Sequence, residues 1–346
     1  MHKVAVLHSA VRENGPKDEL DVIVQAQEVS QALDSLGYLP VPLPFSLDLN
    51  RMKESLINIA PLLVVNLVET VDGKGCFIHF APSLLDAQGI PFTGCGTEAV
   101  FMSSNKMIAK KMLAANGVPT PPAVFIGDEQ GAVNAFNGHY IIKSVWEHAS
   151  IGIDESSIVK ASRIKDMVRE IFKRQACLGG EAFAEAYIEG REFNIAIIEG
   201  DAGQPEVLPP AEILFDAYPP GKPRIVDYSA KWDECSFEFQ HTPRSFEFPV
   251  EDAPLLRRLS EIALDCWRIF SLRGYARIDF RVDFRGMPWV LEVNANPCLS
   301  SDGGFIAAAK EAGFRIEDIV SRLIRVAIAR GIRQHDFTYS RNYIFD

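Results

Sequence analysis

Asp279, Glu292 and Asn294 are the side chains in this sequence best suited to holding a metal ion, and their spacing indicates how they would meet. Tyr275 to Phe284 alternates apolar and charged residues, Met287 to Asn294 is rich in β-formers, and Arg285-Gly286 lies between them, which predicts a hairpin. A two-residue loop there sets Asp279 opposite Glu292 and Arg277 opposite Asn294, with all four polar side chains on one face. Directly opposed residues have Cβ atoms about 4.5 to 5.5 Å apart. Two carboxylates and an amide oxygen at that separation can share a hard cation, and magnesium takes such oxygen ligands together with substrate phosphates. Ile278, Phe280, Leu291 and Val293 would then face a core. An amphipathic hairpin with cross-strand ion pairs and no metal would give the same alternation. The residues after the second strand favour a ligand: Asn296-Pro297 and the run Ser301-Asp302-Gly303-Gly304 form a loop of small, turn-forming residues that brings backbone N–H groups close to an anion.

Two lysines need a partner. Lys143 sits in the middle of the apolar strand Tyr140 to Val145, where a lone buried ammonium is costly, so it must snorkel to water or meet an anion. Lys106 falls in the first turn of a helix that Ser103 or Ser104 would cap and Gly117 would end, so its charge opposes the helix dipole. An exposed helix lysine is the plain alternative for Lys106.

The remaining elements must position these groups. Lys3 to Leu7 reads as a buried strand, and Asp21 to Leu36 as a helix with Val22, Val29, Leu33 and Leu36 on one stripe. Leu62 to Asn66 and Ile90 to Thr93 read as further strands of a small open α/β layer. Ligands bind such sheets at the carboxyl ends of strands, which puts His8 to Lys17 and Asn66 to Gly75 near a site. Arg163 to Cys177, Leu255 to Phe270, Ile306 to Ala312 and Ile316 to Gly331 read as helices, with an irregular tail at the end.

With 346 residues, 47% hydrophobic and 23% charged, the chain has the composition of a soluble protein of two or three subdomains. A net charge of -11 with no basic blocks argues against a nucleic-acid partner. The N-terminus is broken by charge too soon for a signal peptide and no apolar run reaches membrane-spanning length, so the expectation is a cytoplasmic protein with no membrane partner. The six cysteines lack a CxxC spacing, which fits reduced thiols better than disulfides or a zinc site.

RIDF and EVNANP, with Asp279 and Glu292 at their spacing, resemble the metal-binding end of the ATP-grasp ligases, and most of all the D-alanine-D-alanine ligases. The segments PFTGCGTEAVFMSSNKMIAKKMLAANGVPTPPAVF, EAFAEAYIEGREF and PRIVDYSAKWDE extend the likeness in order, from about Val4 to Gly331. The resemblance implies an α/β fold of the α+β ATP-grasp type: an open α/β unit over 1–103, a central lid unit over 104–186, and a C-terminal unit with the metal site over 187–346, the last two sandwiching ATP. It implies an ATP-dependent carboxylate-amine ligase working through an acyl phosphate.

In that likeness Lys106, Lys143 and Lys231 contact ATP phosphates, and Ser150 and Gly152 match the phosphate-covering loop. Glu185, Ala186 and Ile188 hold adenine, and Glu192 holds the ribose. Asp279, Glu292 and Asn294 hold one or two Mg2+ ions, with Mn2+ as the alternative, and Arg277 steadies the oxyanion. The catalytic set is Arg277, Lys231 and Ser150. The partners implied are amino-acid or peptide substrates; the residues do not state an oligomeric state, and the family habit allows a homodimer.

The substrate regions depart from the family. The first loop lacks its glycines and leaves Glu13 and Glu19 as alternatives for the substrate ammonium. VNLVETVDGKG matches the second loop plainly only at Asp72-Gly73, Trp232 replaces a tyrosine, His148 replaces a lid glycine, and Cys298 stands where glycine is usual. Three readings stand open: a ligase of D-alanine, a ligase of other amino acids or peptides, and an ATP-binding module without turnover. Intact Arg277, Asp279, Glu292 and Asn294 weigh against the third.

Overall fold

The computed structural model describes residues 1–11, 15–127 and 138–342, without the side chains of 18 and 332–342. Three sheets are laid out in chain order. The first is built from β1 (Lys3–Ser9), α1 (Lys17–Ser35), β2 (Leu39–Phe45), α2 (Leu49–Ile59), β3 (Leu63–Leu67) and α3 (Phe80–Gln88), with parallel strand order β2-β1-β3. The predicted strand at Ile90 to Thr93 is only a single bridge, Val64 to Phe92. Strand β2, LPVPLPF, carries three prolines and lies at the edge, where a missing N–H costs no ladder bond.

Two short helices lead out of this layer, α4 (Thr97–Ser104) and α5 (Lys106–Ala115). Ser103 and Ser104 close α4 rather than cap α5; the break falls at Asn105, whose side chain accepts from the Ile108 N–H at 3.0 Å. Gly117, at φ 72, stands just past the end of α5 as expected.

The central sheet has order β4-β7-β5-β6, from β4 (Ala123–Phe125), β5 (His139–Ser144), β6 (Ile158–Lys160) and β7 (Ala182–Ala186), backed by α6 (Ile164–Arg174). The six-stranded sheet takes β8 (Gly190–Glu199), β9 (Pro205–Val207), β10 (Ala211–Ile213), α7 (Tyr228–Trp232), α8 (Phe237–Gln240), β11 (Arg244–Ser245), α9 (Ala253–Ile269), β12 (Tyr275–Asp283) and β13 (Pro288–Asn294). Then come α10 (Gly304–Glu311) and α11 (Ile316–Asn342), so the expected irregular tail is helical as far as Asn342. One apolar core joins the first and last parts: Val4, Val6, Val29 and Leu33 pack with Ile198, Tyr275, Phe305 and Leu323.

The hairpin of β12 and β13 pairs Asp279 with Glu292 and Arg277 with Asn294, as its sequence predicts, but by a different route. The loop has three residues, Phe284-Arg285-Gly286, with Gly286 at φ 77, so near the turn Phe280 faces Val290. A bulge at Leu291 adds back the missing residue and restores the site pairs. Leu291 therefore does not join Ile278, Phe280 and Val293 in the core; Val290, fully buried, takes that place.

Candidate active site

Strand β7 ends at Ala186 in the central sheet and β8 begins at Gly190 in the six-stranded one, so Tyr187-Ile188-Glu189 is a crossing between sheets and not a hairpin loop. A cleft of about 880 Å³ opens at that crossing. Ile141, Ile151, Ile153, Ile188, Ile225 and Leu291 give it an apolar slot suited to a flat ring. Lys106, Lys143, Glu185, Glu192, Lys231, Asp279 and Glu292 supply its charge. Ala186 and Ser150 also line it, whereas Asn294 lines an adjoining cavity.

The anion that Lys143 requires is supplied by the chain itself: its Nζ lies 2.5 Å from Glu185 Oε1. Lys110 Nζ takes the other carboxylate oxygen at 2.7 Å and donates to Thr120 Oγ1 and the Pro121 carbonyl. Burial alone would push the Glu185 carboxyl up, but Lys110 and Lys143 reverse this and hold it below the usual range. Burial lowers Lys110, with Glu185 opposing. Lys110 reads in sequence as one more helix lysine, and nothing local distinguishes it.

Across the cleft, Arg277 Nε and Nη2 donate to the two oxygens of Asp279, each at 2.8 Å, and Asn194 Nδ2 donates to Asp279 Oδ1 at 2.8 Å. Asn194 reaches that point because β8 pairs with β12 on the side away from β13. Glu292 is in close contact with His148 Nδ1 and lies 3.9 Å from Lys106 Nζ. Burial would raise the Glu292 carboxyl, yet Lys106, His148 and Lys231 outweigh it and hold the group well below the carboxylate range. Lys106 and Lys231 are both lowered, first by burial. Lys231 has no ion-pair partner among the described residues, and His148 Nε2 is buried without a hydrogen bond. Glu192 is paired with Arg281 at 3.0 Å.

These orphaned donors fit a polyphosphate. Two carboxylates and the Asn294 amide on one strand pair fit a hard divalent cation. Among the described residues no group of three or more His, Cys, Asp or Glu forms a metal cluster, so a cation would depend on the amide and on ligand oxygens.

The loop over the cleft lacks its central glycine but still takes a left-handed path, with Ala149 at φ 57 and Ser150 at φ 59. The Ser150 hydroxyl donates to the Val226 carbonyl at 2.7 Å, and Trp232 Nε1 donates to the Ala149 carbonyl at 3.2 Å, tying the loop to α7. The Glu147 carboxylate accepts from the Gly75 N–H at 3.1 Å, and Lys106 Nζ donates to the Glu147 carbonyl at 2.7 Å.

A second cavity, about 680 Å³, adjoins the cleft and shares His148 and Ile151 with it. It lies at the carboxyl ends of β1 and β3, bordered by Ser9 to Val11 and by Glu69-Thr70, where such sheets place ligands. Glu19 lines it, and Glu13 lies outside the described residues. Glu69, which the sequence marks only as part of the Asn66 to Gly75 segment near a site, accepts from Gln25 Nε2 at 2.9 Å. Burial pushes its carboxyl up to about 7, while Arg277 and Lys231 pull the other way. Gln25 Nε2 also reaches the Cys298 Sγ at 3.0 Å. Burial and the acids Glu69 and Asp21 hold that thiol well above its ordinary value, against thiolate chemistry.

A family model described as the D-ala D-ala ligase C-terminus matches residues 129–325. The chain is 30% identical over 308 residues to a D-alanine--D-alanine ligase of Desulforudis audaxviator, covering 87% of this chain and 92% of that one. It is 27% identical over 327 residues to a D-alanine--D-alanine ligase of Methylacidiphilum infernorum, covering 93% and 96%. Its fold superposes on a crystal structure of D-alanine--D-alanine ligase from Bacillus anthracis complexed with ATP, at a TM-score of 0.71 and 19% identity, over 96% of this chain and 100% of that one.

Proposed function

The chain belongs to the D-alanine-D-alanine ligase family of ATP-grasp enzymes and is an ATP-dependent ligase that forms a C–N bond, and from that premise we propose how its residues divide the work. The observation that carries the proposal is the cleft between the second and third sheets, where three lysines face the acidic hairpin. The apolar slot takes adenine beside Ala186 and Ile188, with Glu185 and Glu192 as acceptors for its amine and the ribose hydroxyls. Asp279, Glu292 and Asn294 would hold one or two divalent cations, magnesium before manganese. A cation bound there would screen charge on the phosphate oxygens. Lys106, Lys143 and Lys231 neutralise the rest, and the Ser150 loop excludes water.

The substrate carboxylate takes the terminal phosphoryl group to give an acyl phosphate, and the amine displaces inorganic phosphate from it. Arg277, fixed by Asp279, donates to the oxyanion as the amine adds. The three units are 1–103, 104–186 and 187–346. Six scattered cysteines, all unpaired, favour a reducing, cytoplasmic setting.

The Desulforudis and Methylacidiphilum relatives are ligases of D-alanine, and D-alanine is the first substrate to try. A second reading, ligation of another amino acid or a peptide, is favoured by Glu69 and Trp232 in the substrate region. Phosphate release from ATP and magnesium, measured with and without D-alanine beside Asp279→Ala, tests both. Release that requires D-alanine and is lost in the variant supports the first. Silence with D-alanine, but release with another amino acid or peptide, supports the second. No release with any of them overturns the proposal.

A further inference from the structure

The acidic pair on the hairpin offers four carboxylate oxygens, and three of them are already engaged. Asp279 Oδ1 accepts from Arg277 Nε and Asn194 Nδ2, and Asp279 Oδ2 accepts from Arg277 Nη2. Glu292 Oε1 is met by His148 Nδ1 and, at 3.9 Å, by Lys106 Nζ. Glu292 Oε2 has no hydrogen bond or ion pair among the described residues, and Glu292 lines the cleft. An ionised carboxylate can only accept, so the ring nitrogen that meets Glu292 carries the proton. That donor comes from the covering loop, 144 residues before Glu292 in the chain. A glycine at this position of the loop would have no side chain to offer. The loop backbone is braced around it: Ser144 Oγ accepts from the Trp146 and Glu147 N–H groups, and the His148 carbonyl accepts from the Ile151 N–H at 3.2 Å. Lys106, beside Glu292, donates to the Glu147 carbonyl. His148 therefore meets Glu292 only while the loop lies over the cleft.

We propose that His148 is a positioning residue for the cation: by holding Glu292 Oε1 it keeps Oε2 free for the ion, and it makes cation binding and closure of the covering loop depend on one another. Outer partners of this kind fix the orientation of a ligating carboxylate, and their loss costs about 10- to 100-fold in metal affinity. Because the partner stands on the loop, the closed loop favours the cation by the same factor that the cation favours the closed loop. This inference rests on the nucleotide and cation site proposed for the cleft.

Calorimetric titration of ADP, with and without magnesium, reads this coupling without turnover. In the wild type magnesium should tighten ADP, and in His148→Ala that gain should shrink by about 10-fold or more, with ADP affinity in the absence of the cation little changed. His148→Asn, whose side-chain amide can place an N–H near the Nδ1 position, should keep most of the gain. Magnesium with ADP should also slow protease cleavage within residues 147–153 in the wild type and in His148→Asn, but not in His148→Ala. No magnesium gain in the wild type, a gain in His148→Ala as large as in the wild type or larger, or an equal loss in His148→Asn overturns the inference; the larger gain would show the imidazole competing with the cation. Nitrogen directly coordinated to Mn2+, read by electron spin echo in the ADP complex, overturns it by putting His148 on the ion itself. Each of these leaves the nucleotide site intact. A wild type that binds no ADP under either condition overturns that site and this inference together.

Discussion

Leu291 is the extra residue opposite Asp279 that brings Glu292 back into register with it. The three-residue turn displaces the strand pairing by one position, and without the bulge the displacement would reach the acidic pair. The cost of the bulge is one apolar side chain moved from the core to the cleft wall.

That exchange predicts opposite behaviour for neighbouring residues. Val290→Ala, in the core, should cost about 2 kcal/mol or more of unfolding free energy, measured by denaturant titration. Leu291→Ala should cost less than about 1 kcal/mol and instead raise KM for ATP. Equal losses of stability would place both side chains in the core.

Arg277 and Asp279 meet through two parallel hydrogen bonds, a geometry lysine cannot reproduce. Arg277→Lys should therefore lower kcat by about 10²- to 10³-fold, with KM for ATP little changed. A variant with near-normal kcat would remove Arg277 from the reacting centre.

Lys110 and Lys143 share Glu185, but only Lys143 lines the cleft. Removing Lys110 leaves a buried carboxylate short of a partner, and Lys110→Met should destabilise the protein by about 3 kcal/mol. Lys143→Met should spare more stability and raise KM for ATP. Thermal unfolding and ATP saturation curves on the two variants check the division of roles.

The raised carboxyl of Glu69 links stability to pH. It binds its proton more tightly in the folded state, at about 7, than in the unfolded chain, at 4.5. The folded state thus gains from Glu69 at pH below about 4.5, and that gain is lost as pH rises through about 7. Charges facing it are Asp21, Arg277 and Lys231. Plotted against pH, the Tm of wild type minus that of Glu69→Gln should fall across that window; a flat difference would show that Glu69 does not titrate there.

Gly75 lies so close to the covering loop that a Cβ would stand 2.6 Å from the Trp146 carbonyl. Backbone cannot yield there as a side-chain tip would, so Gly75→Ala should push the loop away and break the bond from the Gly75 N–H to Glu147. Turnover should drop about tenfold or more, with faster protease cleavage within residues 147–153. Unchanged turnover would show that this contact is dispensable.

Local spacing carries the parts of the site that are legible in the sequence. The facing of Asp279 and Glu292 follows from strand alternation about a turn, and the need of Lys143 for an anion follows from its place in an apolar strand. The loop length and the compensating bulge are not legible, since a three-residue turn with a bulge leaves the same pairs facing as a two-residue turn without one. The cap at Asn105 rather than Ser103 or Ser104 is likewise open, because three polar residues in a row are each able to accept from a helix N–H.

The sequence by itself determined the acidic hairpin and the strands at Lys3 to Leu7, Leu62 to Asn66 and Tyr140 to Val145, because periodicity and turn chemistry act over a few residues. Only the tertiary structure decided that Glu69 meets Gln25, which in turn reaches Cys298, that Lys110 shares Glu185 with Lys143, and that Asn194 reaches Asp279. Most of those contacts join residues far apart in the chain. Their partners are chosen by how sheets and helices pack, and no local pattern records that choice.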